Sequence, residues 1–198
     1  ASVVVSCAGP YTHLGPPVLA AAIRAGASYV DCSGEPRWVA RIADEFERDA
    51  VAAGVAVVPS LGLGVATDLA CGVAADELGG ADAVTQLLCA IHIVAMRPSV
   101  ATMRSTVELV AGGAPIADRG SISWKLAGTR SHRFATGRGA LFTPPDAVVL
   151  ARAYRNAHIE CHAQPALLGL GLAVSGALWR GPGTVGGKRK LAARIETH

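Results

Sequence analysis

The chain has 198 residues, of which 51% are hydrophobic and 17% are charged, and its formal net charge is +3. This composition argues against a disordered chain, and so small a charge argues against a nucleic-acid-binding surface. The five cysteines are odd in number and form no Cys-x-x-Cys pair, which argues against a disulfide framework and a zinc ribbon. A reducing cytoplasm is the simplest compartment, with membrane association as the alternative.

The first 60 residues alternate between unbroken apolar runs and helical patterns. Residues 2–6, 28–32 and 55–58 are predicted to be strands, and residues 16–25 and 38–53 are predicted to be helices. Strands that are apolar throughout are typical of a parallel sheet covered on both faces. The pattern therefore predicts an α/β fold with a doubly wound parallel sheet.

The character of the sequence changes after the Gly79-Gly80 pair. A helix capped by Thr67 or Asp68 is predicted to run to residue 78, so we place a domain boundary between a first domain, 1–80, and a second, 81–198. The second domain is predicted to be α+β. Its predicted strands are 84–95, 121–126, 132–134 and 158–164, its predicted helices are 100–111 and 166–179, and residues 146–155 fit either a strand or a helix.

Two segments near the end of the sequence could associate with a membrane. Residues 166–179 are strongly apolar but shorter than the roughly 20 residues that cross a bilayer, so a buried helix, a membrane-surface segment and a span all remain readings. The basic cluster formed by Lys188, Arg189, Lys190 and Arg194 is either a frayed, solvated tail or a site for phosphate or lipid headgroups.

In an open parallel sheet, ligands bind beyond the carboxyl ends of the strands, where loops diverge and helix N-termini present free N–H groups. Three loops qualify here, at residues 7–11, 33–36 and 60–64. Each consists largely of small or polar residues, which let a flat ring or a phosphate approach the backbone. The sequence therefore predicts that the turns around Gly9, Gly34 and Gly62 line one crevice.

The stretch SVVVSCAGPYTHLGPPVLAAAIRAGASYVDCSGEPRWV resembles the saccharopine dehydrogenase-like oxidoreductases, in which one strand ends in a Gly-Pro-aromatic turn and the next in Asp, a small residue and Gly-Glu. The stretch AAGVAVVPSLGLGVATDLA is similar to the following strand and loop of that family. Gly62 and Asp68-Leu69 fit its pattern, whereas Leu63, Gly64 and Val65 depart from the expected aromatic, Asp and Ser. The trans-acting enoyl reductases are one branch that the sequence resembles.

The resemblance implies a nicotinamide cofactor, NADP or NAD. The first loop would pass along its ribose and pyrophosphate, and the second and third would approach the nicotinamide. The implied cofactor-binding residues are Cys7, Ala8, Gly9, Pro10, Tyr11, Ser33, Gly34, Glu35 and Ser60. The alternatives are that Gly9-Pro10 is only a tight turn and that Glu35 is a surface residue.

The resemblance further implies hydride transfer to or from a carbonyl, imine or enoyl group of a small-molecule or lipid-like substrate. The Gly-x-Gly-x-x-Gly phosphate loop of dinucleotide folds is missing from this segment, which matches a middle portion of the family, so we expect weak cofactor binding or none. The alternative function is a catalytically inactive truncated protein that associates with lipid or a partner. An open sheet edge also predicts partner or homo-oligomer association.

No catalytic acid or base is identified from the sequence. His158 and His162 would share one side of a strand, with Cys161 on the other, and a metal-dependent hydrolase using them is a third reading. No Gly-x-Ser-x-Gly elbow for a nucleophilic serine is present.

Overall fold

Three parallel strands form the first sheet of the protein. The computed structural model describes residues 2–62, 64–93, 109, 112–164 and 191–196. Strands β1 (Val3–Ser6), β2 (Ser28–Asp31) and β3 (Val57–Val58) lie in the order 1-2-3, and both pairings are parallel. The predicted parallel sheet is thereby confirmed.

Helices connect these strands. They are α1 (Tyr11–Arg24), α2 (Pro36–Arg41), a π-helical turn (Ile42–Phe46) and α3 (Glu47–Ala53). Helix α1 begins five residues before the predicted start at residue 16, because Pro16 and Pro17 are accommodated inside it. Proline is favoured in the first turn of a helix, where no N–H donor is needed, so the sequence pattern placed the start of the helix at Pro16.

The helices cover one face of this sheet. Buried side chains from α1, β2, α2 and α3 form a single apolar cluster that includes Leu19, Tyr29 and Trp38. The lack of a side chain at Gly15 leaves room for the Trp38 ring, since a Cβ at Gly15 would lie only 2.6 Å from it. The opposite face carries Val3 and Val5, which are 50% and 67% exposed, whereas the sequence pattern predicted cover on both faces.

The second sheet is mixed. Its strands are β4 (Gln86–Ile93), β5 (Ala114–Asp118), β6 (Ser121–Lys125), β7 (Ser131–Phe134), β8 (Gly137–Leu141), β9 (His158–Gln164) and β10 (Leu191–Glu196). They lie in the order β10-β4-β9-β5-β6. Strands β4 and β9 are parallel, whereas β10 on β4, β5 on β9 and β6 on β5 are antiparallel. Strand β8 pairs with β7 and with the end of β9.

Helices α4 (Gly64–Glu77) and α5 (Asp146–Ala153) pack with this sheet around a second core. The ambiguous residues 146–155 are therefore helical up to residue 153, because Ala147, Leu150 and Ala151 bury one helical face. Strands β5, β8 and β10 were not predicted, and β10 contains Arg194, which was expected in a frayed tail.

Two predicted helices, 100–111 and 166–179, lie largely or wholly outside the described residues. Within the described ranges, none of the helices combines the length and the apolar character that a membrane crossing requires.

Candidate functional site at the ends of the parallel strands

The three predicted loops meet at one edge of the first sheet. Ser6 at the end of β1 is in register with Asp31 at the end of β2. The third loop joins them, because the backbone N–H of Leu61 donates to the carbonyl oxygen of Asp31 at 2.9 Å. Gly62 faces Cys32 of the second loop, with its Cβ position 3.6 Å from that of the cysteine. The predicted shared rim is therefore present.

Asp31 organises this rim. Its carboxylate is 1% exposed and accepts four hydrogen bonds. One oxygen accepts from the backbone N–H groups of Ser33 at 3.0 Å and Ser60 at 2.8 Å. The other accepts from the Trp38 indole N–H at 2.7 Å and the Tyr29 hydroxyl at 3.1 Å. One side chain thus fixes the second and third loops to each other and to the core.

Glu35 caps helix α1 from the neighbouring loop. Its two carboxylate oxygens accept from the backbone N–H groups of Tyr11 and Thr12, each at 2.8 Å, and from the Thr12 hydroxyl at 2.6 Å. Glu35 is buried, so the reading of it as a surface residue is wrong. A carboxylate at this position satisfies free amides and complements the positive end of the helix dipole. The amides that would otherwise attract a phosphate are occupied.

Tyr11 connects the first loop to the second. Its hydroxyl donates to the carbonyl oxygen of Ser6 and lies 3.2 Å from the sulfur of Cys32. Burial, followed by the Cys32 contact, raises the pKa of the Tyr11 phenol well above its usual value, so the hydroxyl stays protonated at neutral pH. The Tyr11 side chain is therefore a fixed part of the rim wall.

Two buried hydroxyls at the rim have no hydrogen-bond partner. They are the Oγ atoms of Ser33 and Ser60, both on residues that the sequence placed near the nicotinamide. Ser60 also has a positive φ of 60°, a region that a residue other than glycine occupies only where its surroundings impose it. The bond from its N–H to Asp31 provides that constraint.

All nine residues implied by the resemblance lie in these three loops: Cys7, Ala8, Gly9, Pro10, Tyr11, Ser33, Gly34, Glu35 and Ser60. The structure brings them together, and their contact with a cofactor stays a prediction. The sequence reading missed Asp31 as the organising residue. An ionisable residue at the end of an apolar strand, three residues before Gly34, was the signal that pointed to it.

A cleft of about 1190 Å³ lies beside the rim. One wall comes from α2, the π-helical turn, α3, β3 and the start of α4, and the other comes from the β5–β6 hairpin and α5. Apolar side chains such as Phe46, Leu61 and Trp124 line about half of it, and charged and polar side chains line the rest. The side chains of Arg152 and Glu47 form an ion pair between the walls. This lining suits a ligand with both apolar and polar parts.

Two carboxyl groups at the start of α4 and α5 lack full hydrogen bonding. Asp68 lines the cleft and Asp146 is 1% exposed, and each has one buried oxygen without a partner. Burial, and then the charge of Asp146, raises the pKa of Asp68 to about 6. Burial also raises the pKa of Asp146, against a hydrogen bond from Thr67. Asp68 therefore exchanges its proton near neutral pH.

The histidines that suggested a metal site are bound to a carboxylate instead. His158 and His162 lie on one side of β9, as predicted, and each directs Nε2 to Glu160, at 3.0 and 3.1 Å. The Arg130 guanidinium lies 2.7 Å from the same carboxylate. Burial alone would raise the pKa of Glu160, but the histidine hydrogen bonds and Arg130 outweigh it and lower the pKa to about 2.

Comparisons with known proteins agree with the sequence resemblance. No family model matches the chain. A saccharopine dehydrogenase-like oxidoreductase of Homo sapiens is 32% identical over 93 residues, which are 46% of this chain and 22% of that protein. A lipid droplet localized protein of Caenorhabditis elegans is 42% identical over 62 residues, 31% of this chain and 15% of that protein.

A Mycobacterium tuberculosis protein, named as a trans-acting enoyl reductase, is 39% identical over 62 residues, 31% of this chain and 15% of that protein. Among solved structures, apo saccharopine dehydrogenase (L-Glu forming) of Saccharomyces cerevisiae has a TM-score of 0.48 and 19% identity, over 82% of this chain and 40% of that one. The alignments to the three curated relatives thus span less than a quarter of those proteins' lengths.

Proposed function

We propose that this chain, a relative of the saccharopine dehydrogenase-like oxidoreductases, holds the nicotinamide half of NADP or NAD at the rim where its three strand-end loops meet. The observation that carries the proposal is the convergence of these loops on Asp31, which fixes the backbones of Ser33 and Ser60. The nicotinamide would supply the hydride for a carbonyl, imine or enoyl substrate.

The described residues fit the ribose and nicotinamide better than the pyrophosphate. The Ser33 and Ser60 hydroxyls are buried without partners, and a Cβ at Gly62 would meet only Cys32, at 3.6 Å, so the neighbouring backbone is accessible. At the first helix, by contrast, Glu35 already occupies the N-terminal amides. We therefore expect the isolated chain to bind the dinucleotide only in the high micromolar to millimolar range.

The chain's own residues have three roles in this proposal. The rim positions a planar ring, the cleft beside it accommodates the substrate, and Asp68 holds an exchangeable proton at the cleft surface. A group whose pKa lies close to the working pH is suited to giving or taking a proton during reduction or oxidation. Asp68 is the described residue that best meets this requirement.

Fluorescence titration of the whole chain with NADPH and with NADH tests the proposal. The informative variant is Gly62→Leu, because a Cβ there meets only Cys32 at 3.6 Å, so the fold accepts it while the side chain fills the rim. The matched control is Gly72→Leu on α4, where a Cβ meets nothing within 4 Å.

We expect the weak signal of the unmodified chain to be kept in Gly72→Leu and reduced at least tenfold in Gly62→Leu. Saturation-transfer NMR should show closer contact at the nicotinamide protons than at the adenine protons. Submicromolar binding, equal loss in both variants, or saturation confined to the adenine would each overturn the proposal.

The substrate proposed here is lipid-like. A relative is named a lipid droplet localized protein, and the cleft beside the rim includes apolar side chains such as Phe46, Leu61 and Trp124. Flotation with phosphatidylcholine vesicles, using the whole chain and a version without residues 166–179, separates cleft binding from membrane association through that segment. Flotation that survives the deletion, in a variant with unchanged circular dichroism, supports the cleft. Absence of flotation in both versions contradicts a lipid role.

A further inference from the structure

Two cysteines stand side by side at the rim. Cys7 directly follows Ser6 and Cys32 directly follows Asp31, and Ser6 and Asp31 are register partners in neighbouring parallel strands. Such strands lie about 4.8 Å apart. Disulfide-bonded cysteines usually have Cα atoms about 4.4–6.8 Å apart, so this spacing is within reach of a bond. Both thiols are exposed.

The two cysteine side chains leave the strands on the same side of the sheet. Ser6 and Asp31 are buried on the helix side of the sheet, and side chains alternate along a strand, so Cys7 and Cys32 both leave that side. The Tyr11 hydroxyl contacts the Cys32 sulfur at 3.2 Å and also interacts electrostatically with Cys7.

The other three cysteines provide an internal contrast. Cys71, Cys89 and Cys161 are buried in the second core, where their sulfurs contact one another. Hydrogen bonds between these thiols, and then burial, raise the pKa of Cys71 and Cys89, and burial raises the pKa of Cys161 against its hydrogen bond with Cys89, so little reactive thiolate forms. An oxidant in solution therefore meets Cys7 and Cys32 first.

We propose that Cys7 and Cys32 form an oxidisable pair that closes to an intramolecular disulfide under peroxide. One thiol loses its proton, the resulting thiolate attacks a peroxide oxygen, and the O–O bond breaks to give a sulfenic acid and hydroxide, which takes up the released proton to form water. The second thiol attacks that sulfur, an S–S bond forms, and a second water leaves. The two thiols lose two electrons in total, and hydrogen peroxide accepts them.

The bond would join the first and second loops across the rim. Cβ atoms on neighbouring parallel strands are farther apart than the roughly 3.8 Å typical of a disulfide, so the bond is strained. Strained and exposed disulfides are the readily reduced ones. The pair is therefore suited to reversible closure rather than to permanent stabilisation.

The experiment treats the whole native chain with hydrogen peroxide, blocks the remaining thiols, and digests it with trypsin without reduction. Cleavage after Arg24 and Arg37 places Cys7 and Cys32 in separate peptides, 1–24 and 25–37. We expect these peptides to be recovered joined and to separate on reduction. The thiol count of the denatured, unblocked protein should fall by two from five.

Cys7→Ser and Cys32→Ser are the informative variants, and each should leave the other cysteine as a sulfenic or sulfinic acid without a linked peptide. Cys161→Ala is the matched control and should keep the 1–24 to 25–37 link. Cross-linking only between molecules, or over-oxidation of both cysteines without a link, overturns the proposal. None of these readouts depends on cofactor binding.

Discussion

Buried carboxyl groups are fully hydrogen-bonded at the rim of the first sheet but only partly hydrogen-bonded at the wall of the cleft. At the rim, Asp31 and Glu35 are buried and every carboxylate oxygen has a partner. At the cleft wall, Asp68 and Asp146 each keep a buried oxygen with no partner. Unpaired buried charge is costly, whereas a fully bonded carboxylate fixes the groups that bond to it.

This difference in hydrogen bonding distinguishes carboxyl groups that have a structural role from those that can exchange protons. A carboxylate whose oxygens are all bonded holds the loops that bond to it in place. A carboxyl group that lacks partners shifts its pKa toward neutral pH and exchanges protons there. The rim is thus built for positioning, and Asp68 on the cleft wall is suited to proton transfer.

Removing the charge of Asp31 is expected to have the largest effect. In Asp31→Asn, an amide N–H₂ replaces one acceptor oxygen and is directed at other donors. We expect a loss of about 3–5 kcal/mol in the free energy of unfolding, measured by urea denaturation. The control is Asp49→Asn, an exposed position that should change stability little. Equal effects at the two positions would contradict the organising role of Asp31.

Glu160 extends the comparison to the second sheet, since it is a fully bonded carboxylate there. Its pKa is lowered to about 2 from 4.5, so its contribution is present above about pH 4.5 and is lost as pH falls toward 2. Glu160→Gln should therefore destabilise the protein by about 2–4 kcal/mol at pH 7 and by progressively less below pH 4.5. Glu77→Gln, at an exposed site, is the control. A pH-independent loss would argue for packing rather than charge.

Glu35→Ala tests whether the rim's anion-binding amides are blocked by the protein itself. Losing the cap on α1 should cost about 1–2 kcal/mol of stability. It should also expose the N–H groups of Tyr11 and Thr12, so inorganic phosphate should stabilise the variant more than the unmodified chain. Thermal denaturation with and without phosphate measures both, with Glu77→Ala as the control. An equal phosphate response in all three proteins would contradict this account of Glu35.

The sequence predicted the rim correctly because local signals dominate there. Apolar runs that end in small residues define the ends of β1, β2 and β3, and the order of the chain places their loops together. The bonds of Asp31 and Glu35 were not predicted. The bond from the Ser60 N–H to Asp31 and the bonds from Tyr11 and Thr12 to Glu35 join residues 23 to 29 positions apart, and no local pattern specifies which amide a carboxylate will reach.

The second sheet was harder to predict for the same reason. Strand β5 carries Pro115 and is buried along most of its length, and β8 contains two glycines, so neither shows the alternating pattern of a strand. Residues 146–153 are helical because of their packing on β5 and β9. The pKa shift of Asp68 depends on Asp146, 78 positions away, and only the folded chain brings these two together.

Asp68→Asn should have the smallest effect on the free energy of unfolding, and unlike the other substitutions it should stabilise the protein. The pKa of Asp68 is raised from 3.8 to about 6, so the folded state holds a proton that the unfolded state has released over that interval. Stability from this group is full below about pH 4 and is lost as pH rises through about 6. At pH 7, Asp68→Asn should therefore be more stable than the unmodified chain, by about 1 kcal/mol after allowing for partial solvent exposure.

The gain in stability should vanish at pH 4, and Asp76→Asn, exposed on the same helix, should show no such pH dependence. A destabilised Asp68→Asn protein at pH 7 would mean that the carboxylate is satisfied after all, and the contrast between rim and cleft wall would fail.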